Sequence, residues 1–406
     1  MRIAILTNEY PPHIYGGAGV HVEYLTRELA RAEGPHHTLE ILCFGDQDFR
    51  EGNLSVRGVK ADCKLPFQDP RHAKFQDTMA RNLEMAGLLK DVDVVHCHTW
   101  YTHLAGCLVK QLTGAKLVLT THSLEPHRPW KVEQLGTAYQ ASSWVERTAY
   151  ENADGVIAVS ASMREDVHAL YGVDPAKIRV IHNGIDLNQY RPTSDPAVLA
   201  KHGIDPDRPF VLFVGRITRQ KGIIHLVEAI KSIRPGVQVV LCAGAPDTPE
   251  IGREMAERVE RARLEGGHPI VWIAEIVPKA EIIALYTAAS LFVCPSVYEP
   301  FGIINLEAMA CGTPVVASAV GGIIEVVVPG RTGLLVPVDP VGGTDFEPKD
   351  PAKFALDLAD AINRLLDDPE RLREMGARSR ERVEHFFSWT SIARWTLDFY
   401  WDLVQA

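Results

Sequence analysis

Leu291 to Gly312, LFVCPSVYEPFGIINLEAMACG, is the stretch whose reading decides the fold. It opens with Leu291-Phe292-Val293-Cys294, an apolar run of the length of a buried strand. Pro295 to Pro300 break that pattern as a loop does. From Phe301 onward Ile303, Ile304, Leu306, Met309 and Ala310 recur at helical spacing, and Gly312 stands where a C-terminal glycine belongs. This places Glu299 in the loop at the strand's carboxyl end and Glu307 roughly two turns into the helix. The first amides of that helix, around Phe301 to Ile303, point at the same space, and free N–H groups at a helix N-terminus form an anion site. Two carboxylates beside a ring of amides suit a ligand with both hydroxyls and phosphate. Taken alone, the E-x7-E spacing fits two solvated surface glutamates equally well.

Strand–loop–helix units of this kind run along the whole chain. Arg2 to Thr7 (RIAILT) reads as a buried strand, Asn8 to Gly19 (NEYPPHIYGGAG) as a glycine-rich loop, and Val20 to Ala32 as a helix. That is the opening unit of a nucleotide-type α/β domain. Gly16, Gly17 and Gly19 permit close backbone approach to a ligand, although no full G-x-G-x-x-G is present. Further strands are expected at Leu39–Phe44, Val92–Cys97, Lys116–Thr121, Gly155–Val159 and Ile178–His182, with helices at Ala73–Leu89, Thr102–Leu112 and Tyr139–Asn152. Such alternation implies a parallel sheet covered on both faces. Ligands bind outside the carboxyl ends of its strands, where His98 and His122 stand. The polar loop with His122, Ser123, Glu125, His127, Arg128 and Trp130 suits sugar contact or plain solvation. His96-x-His98 resembles a metal pair, but no acidic third ligand follows, and no metal is expected.

Pro192 to Pro209, polar and proline-bearing, reads as a linker, after which the pattern restarts. Strands are expected at Phe210–Val214, Val237–Ala243, Pro269–Ile273, Pro314–Ala317 and Thr332–Val336, and a loop over 338–351. Arg216 and Lys221 flank the polar loop after the first of these strands. Two cations beside a helix N-terminus can clamp a diphosphate, or be ordinary surface charges. Amphipathic helices follow at 351–366 and 369–386. In the tail, Ile392, Trp395, Phe399 and Tyr400 recur at helical spacing, a stripe expected to pack back on the first half. The expected organisation is thus an N-terminal domain over 1–190, a C-terminal domain over 191–386 and a crossing helix over 387–406.

Composition narrows the function. The 406 residues suffice for two domains, and a net charge of −10 argues against a general nucleic-acid binder. Seven cysteines, an odd number without a CxxC, read as reduced thiols rather than a disulfide framework. No apolar run reaches a membrane span, and a strand beginning at Arg2 leaves no room for a secretory signal. Lys60, Lys64, Arg71, Lys74 and Arg81 are interspersed with acids, so no basic membrane face is expected. A cytoplasmic protein is the simplest reading. The oligomeric state is open, a homo-oligomer included.

The motifs GGAGV, HCHTW, NGID, VGRITRQKG, EPFGIINLEAMACGTPVVAS and GG-x-x-E resemble, in combination, those of the retaining nucleotide-sugar glycosyltransferases of family 4, with the GT-B fold: two Rossmann-like α/β domains facing a central cleft. Within the family, NEYPPHIYGGAGVHV, HCHTWY, THSLEPHRPWK and SSWVERTAYENAD are most similar to glycogen synthases of the actinobacterial type, a group linked to making maltose 1-phosphate. The resemblance implies transfer of glucose from ADP-glucose, or UDP- or GDP-glucose, to an α-glucan or to glucose 1-phosphate, without a cofactor. It implies that Glu299 touches the sugar hydroxyls and that the amides of Phe301, Gly302 and Ile303 touch sugar and phosphate. Glu307 would bind the ribose, and Arg216 and Lys221 the diphosphate. Gly16 and Gly17 would let the first loop approach the donor, which Asn183 would border. His122 would lie by the transferred sugar, while His98, Arg128 and Lys131 would serve the acceptor. A family 4 enzyme of the mannosyl or sucrose type is the alternative. Many glycogen synthases have aspartate where Thr99 stands and a lysine where Ile14 stands, with Tyr15 after it here. These departures bear on the acceptor side more than on donor chemistry. The base is expected to be read near Glu275 to Pro278.

Overall fold

The computed structural model describes residues 1–14, 16–32, 36–61, 69–244 and 246–406. Tyr15 and Lys64 lie outside the described residues. The chain forms two compact units: Met1–Gly184 with Trp389–Ala406, and Ile185–Ser388. Both are Rossmann-like, the domain content of the GT-B fold.

The first unit is built on strands β1 (Arg2–Thr7), β2 (Thr38–Phe44), β3 (Asp48–Glu51), β4 (Leu54–Val59), β5 (Val94–His98), β6 (Lys116–Thr121), β7 (Gly155–Ala158) and β8 (Ile178–Val180). They lie in the order β3-β4-β2-β1-β5-β6-β7-β8. All neighbours pair in parallel except the edge pair β3–β4. Strands covered on both faces need near-continuous apolar runs, and Ile3, Ala4, Ile5 and Leu6 of β1 are all buried. The order reverses between β1 and β5, so the crevice at their carboxyl ends is where such a sheet takes a ligand. The helix Trp389–Gln405 completes this unit. Its Trp389, Ile392, Phe399 and Tyr400 join the core formed by Ile3, Ile5, Val22 and Leu25.

The second unit carries β9 (Phe210–Arg216), β10 (Gln238–Gly244), β11 (Ile270–Ile273), β12 (Leu291–Cys294), β13 (Val315–Ser318) and β14 (Gly333–Val336), in the order β11-β10-β9-β12-β13-β14. These pairs are all parallel. The order reverses at β9 and β12, so Arg216 and the 295–302 loop emerge at that switch point.

Several elements differ from the sequence reading. The edge strand β3, sequence DFRE, is wholly exposed and has no apolar alternation to mark it. In β4, Leu54, Val56 and Val59 are buried while Arg57 is exposed, a strand beyond those expected. Within the expected linker lies a helix, Pro196–Lys201: Asp195 caps it, Pro196 opens it, and Val198 and Leu199 are buried. The expected 338–351 loop contains an antiparallel hairpin, β15 (Pro340–Gly342) with β16 (Asp345–Pro348). The helix Pro249–Gly266, with Ile251, Met255, Val259 and Ala262 buried along one stripe, is a further element beyond those expected.

Candidate active site

In the second unit the site residues converge at the β9/β12 switch point. Arg216 ends β9, half exposed, with Nη1 donating to Asp247 Oδ1 at 3.0 Å. The following loop turns back through Gly222 at φ +58°, where a Cβ would lie 2.0 Å from the Pro295 carbonyl oxygen. No residue but glycine fits there, and the close approach brings Lys221 to the end of β12. Its Nζ donates to Glu299 Oε2 at 2.6 Å, and Ser296 Oγ donates to the same oxygen at 3.2 Å. Glu299 is 7% exposed, so its carboxylate is compensated by a single close ammonium. Its backbone is held as well, since Gly322 N–H donates to the Glu299 carbonyl at 3.0 Å.

Gly302 adopts φ +93° before the helix Ile303–Ala310, and no side chain caps that helix's N-terminus among the described residues. Phe301 is buried. Glu307 accepts hydrogen bonds from Tyr190 Oη at 2.9 Å and Tyr286 Oη at 3.1 Å. Desolvation raises its pKa against the lowering effect of these two hydroxyls. A carboxylate has about four acceptor positions, which leaves Glu307 capacity for a further diol.

In the first unit the residues gather at the carboxyl ends of β5 and β6. His98 ends β5 and His122 follows β6; His98 Nδ1 and His122 Nε2 share a hydrogen bond of 2.9 Å. His21, from the helix Gly17–Arg31, joins them with ring centroids 5.4 Å from His98 and 4.8 Å from His122. Asn183 Oδ1 accepts from His21 Nδ1 at 2.6 Å. Burial pushes His21 down to about 4 and holds His98 and His122 well below the ordinary value, so all three imidazoles are neutral at neutral pH. His96 is separate. Its Nδ1 meets Tyr400 Oη at 2.6 Å and its Nε2 meets Thr120 Oγ1 at 2.7 Å, so both nitrogens are engaged. Gly16 precedes the helix and donates its N–H to Glu9 Oε2 at 2.8 Å; Gly17 is the first helical residue. Thr99, directly after His98, sits at φ +67° and bonds Asn8 Oδ1 at 3.0 Å. A β-branched residue in that region is strained, a condition that gathers at functional sites.

Beyond His122 the loop is tied down by a buried ionic network. Lys131 is 6% exposed, with Nζ on Glu125 Oε1 at 2.8 Å. Arg128 Nη1 is 3.8 Å from the same oxygen and donates to Ser123 Oγ at 3.3 Å. Ser142 Oγ donates to Glu125 Oε2, and Glu146 accepts the Glu125 N–H and the Tyr171 hydroxyl. Burial raises the Glu146 carboxyl and lowers the Lys131 ammonium. Thus Lys131 is committed to Glu125, whereas Arg128 keeps partial exposure. The sequence reading missed Asp247 and His21, and it placed Glu125 in the polar loop without its role of holding Lys131. Asp247 holds Arg216, a cation already chosen, and His21 stands one helical turn beyond the glycine pair in GGAGVHV.

Two Rossmann-like units, one with paired cations and carboxylates near a helix N-terminus, fit a glycosyltransferase. The profile of Glycosyltransferase Family 4 matches residues 15–189 and that of Glycosyl transferases group 1 matches residues 195–382. The chain is 49% identical to an alpha-maltose-1-phosphate synthase of Mycolicibacterium smegmatis, over 98% of this chain and 99% of that one. It is 32% identical to a glycogen synthase of Mycobacterium tuberculosis, over 98% and 94%. Among solved structures it is similar to a sucrose-phosphate synthase from Thermosynechococcus elongatus, with a TM-score of 0.78 and 29% identity over 99% of this chain and 98% of that one. The chain belongs to this glycosyltransferase family.

Proposed function

We propose that this enzyme moves glucose, with retention of the α configuration, from ADP-glucose to glucose 1-phosphate, forming maltose 1-phosphate and ADP for α-glucan synthesis. The observation that carries the reading is 49% identity to an alpha-maltose-1-phosphate synthase across nearly the whole of both chains. The similarity to a glycogen synthase keeps an α-glucan as the second acceptor. The bond from the anomeric carbon to the diphosphate oxygen breaks, and a bond to an acceptor hydroxyl oxygen forms. The acceptor proton passes to the departing diphosphate. Arg216 and Lys221 stabilise the charge that develops on that group, more strongly in the transition state than in the ground state. Lys221 is held in reach by Glu299 at 2.6 Å. On this reading Glu299 positions the sugar hydroxyls and is not a nucleophile. Glu307 takes the ribose diol, and the amides of Phe301 to Ile303 take sugar and phosphate. Gly16, Gly17 and Asn183 belong to the donor side, and His122 to the transferred sugar. For the acceptor phosphate the structure favours Arg128 over Lys131, whose ammonium is spent on Glu125. The enzyme acts as a soluble cytoplasmic protein; among the described residues no helix is long and apolar enough to cross a membrane.

The test is nucleoside diphosphate release from ADP-, UDP- and GDP-glucose, with glucose 1-phosphate and glycogen offered separately. Release from ADP-glucose with glucose 1-phosphate is expected. Release with glycogen alone would make the enzyme a chain-elongating synthase, and release with neither would reject both acceptors.

A further inference from the structure

His21, His98 and His122 each offer a ring nitrogen, and these nitrogens all lie within 4.8 Å of one another. Two further observations give the cluster direction. The Nε2 atom of His21 is buried without a hydrogen-bond partner among the described residues, an arrangement native interiors rarely leave unexplained. His21 is also oriented from behind: its Nδ1 is bound to Asn183 Oδ1 at 2.6 Å, which fixes the tautomer that leaves the Nε2 lone pair free. Metal-binding histidines carry this same outer contact from the ring nitrogen that does not face the metal.

We propose that His21, His98 and His122 form a trihistidine site for a borderline transition-metal dication, Zn2+ foremost, and that its occupation switches glycosyl transfer off. Three imidazoles with an open fourth position are a ligand set that zinc accepts. Imidazole ligands and the absence of a carboxylate from the cluster select zinc, copper or nickel over magnesium or calcium. The hydrogen shared by His98 Nδ1 and His122 Nε2 moves to the other nitrogen of its ring, so both facing lone pairs turn to the ion. His96 takes no part, because both its nitrogens are used. The site is not a cofactor site, since the transfer proposed above needs no metal. Inhibition rests on that reading's placing of His122 at the transferred sugar.

The experiment uses the full chain stripped with EDTA and titrated with Co2+ as a spectroscopic stand-in for Zn2+. One equivalent is expected to produce visible ligand-field absorption, which Zn2+ abolishes. Asn183→Ala is expected to weaken binding roughly 10–100-fold by freeing His21, and His21→Gln to weaken it further. Circular dichroism checks that both variants fold. In parallel, Zn2+ is expected to inhibit nucleoside diphosphate release, with inhibition relieved by EDTA and by excess donor. No cobalt signal in the wild-type chain, or an undiminished signal in folded His21→Gln, would overturn the site. Cobalt binding with full turnover in saturating Zn2+ would overturn the inhibition and count against His122 at the sugar. The donor and acceptor panel run without metal reads the proposed reaction independently of either result.

Discussion

At the scale of single residues, a few charged groups do opposite kinds of work. Arg216 is half exposed and bonded to Asp247, whereas Lys221 is mostly buried against Glu299. Arg216→Ala and Lys221→Ala are each expected to lower turnover at least tenfold, since one charge-assisted contact contributes about 1.5–3 kcal/mol. Lys221→Ala should also lower stability, because it strands a buried carboxylate, while Arg216→Ala should not. Steady-state rates beside urea unfolding separate the two, and wild-type rates in both variants would reject the diphosphate clamp. Lys131 is the contrasting case. Its partner Glu125 is 1% exposed, so Lys131→Met is expected to cost about 3 kcal/mol of stability, with Glu125→Gln added to it restoring most of the loss. A raised KM for glucose 1-phosphate at unchanged stability would instead return Lys131 to the acceptor.

At the scale of elements, the helix Trp389–Gln405 is the informative one. It follows the whole second unit in the chain, yet its apolar face completes the core of the first, with Trp389 stacked on Tyr24 at 5.8 Å. Tyr400 from the same helix reaches His96 within β5. Trp389→Ala should therefore lower the stability of the first unit by about 3–5 kcal/mol and leave that of the second unit unchanged. Hydrogen exchange resolved along the chain would show this as faster exchange in β1 and β5, with β9 and β12 unaffected. Equal loss across both units would contradict it.

At the scale of the whole molecule, stability is expected to fall on mild acidification. His21 and His96 ordinarily titrate near 6.5 but are pushed down by burial to about 4 and about 3, and His98, His103 and His122 are lowered too. Below pH 6.5 the unfolded chain therefore binds protons that the folded chain refuses. Their contribution is full above about pH 6.5 and is lost as pH falls toward the folded values, by at most roughly 1.4 kcal/mol per pH unit for each histidine. Urea midpoints between pH 7.5 and 5.5 would show the decline. A flat profile would mean that water reaches these rings freely.

By itself the sequence determined the class of architecture. Unbroken apolar runs such as RIAILT and LFVC, each followed by a loop and an amphipathic helix, have no stable arrangement but parallel strands covered on both faces. The positions of Glu299 in a loop and Glu307 in a helix were legible for the same local reason, the switch of periodicity at Pro295 to Gly302. Only the tertiary structure decided which charges meet. Lys221 and Glu299 lie 78 residues apart and are joined because strand order reverses at β9 and β12. His21, His98 and His122 come from a helix and the ends of two strands, and no local pattern links them. Partnering depends on sheet order and on desolvation, both properties of contacts between distant segments. Nor could periodicity tell that Lys131 is buried on Glu125: a lysine in a polar loop reads as solvated until the fold removes the water around it.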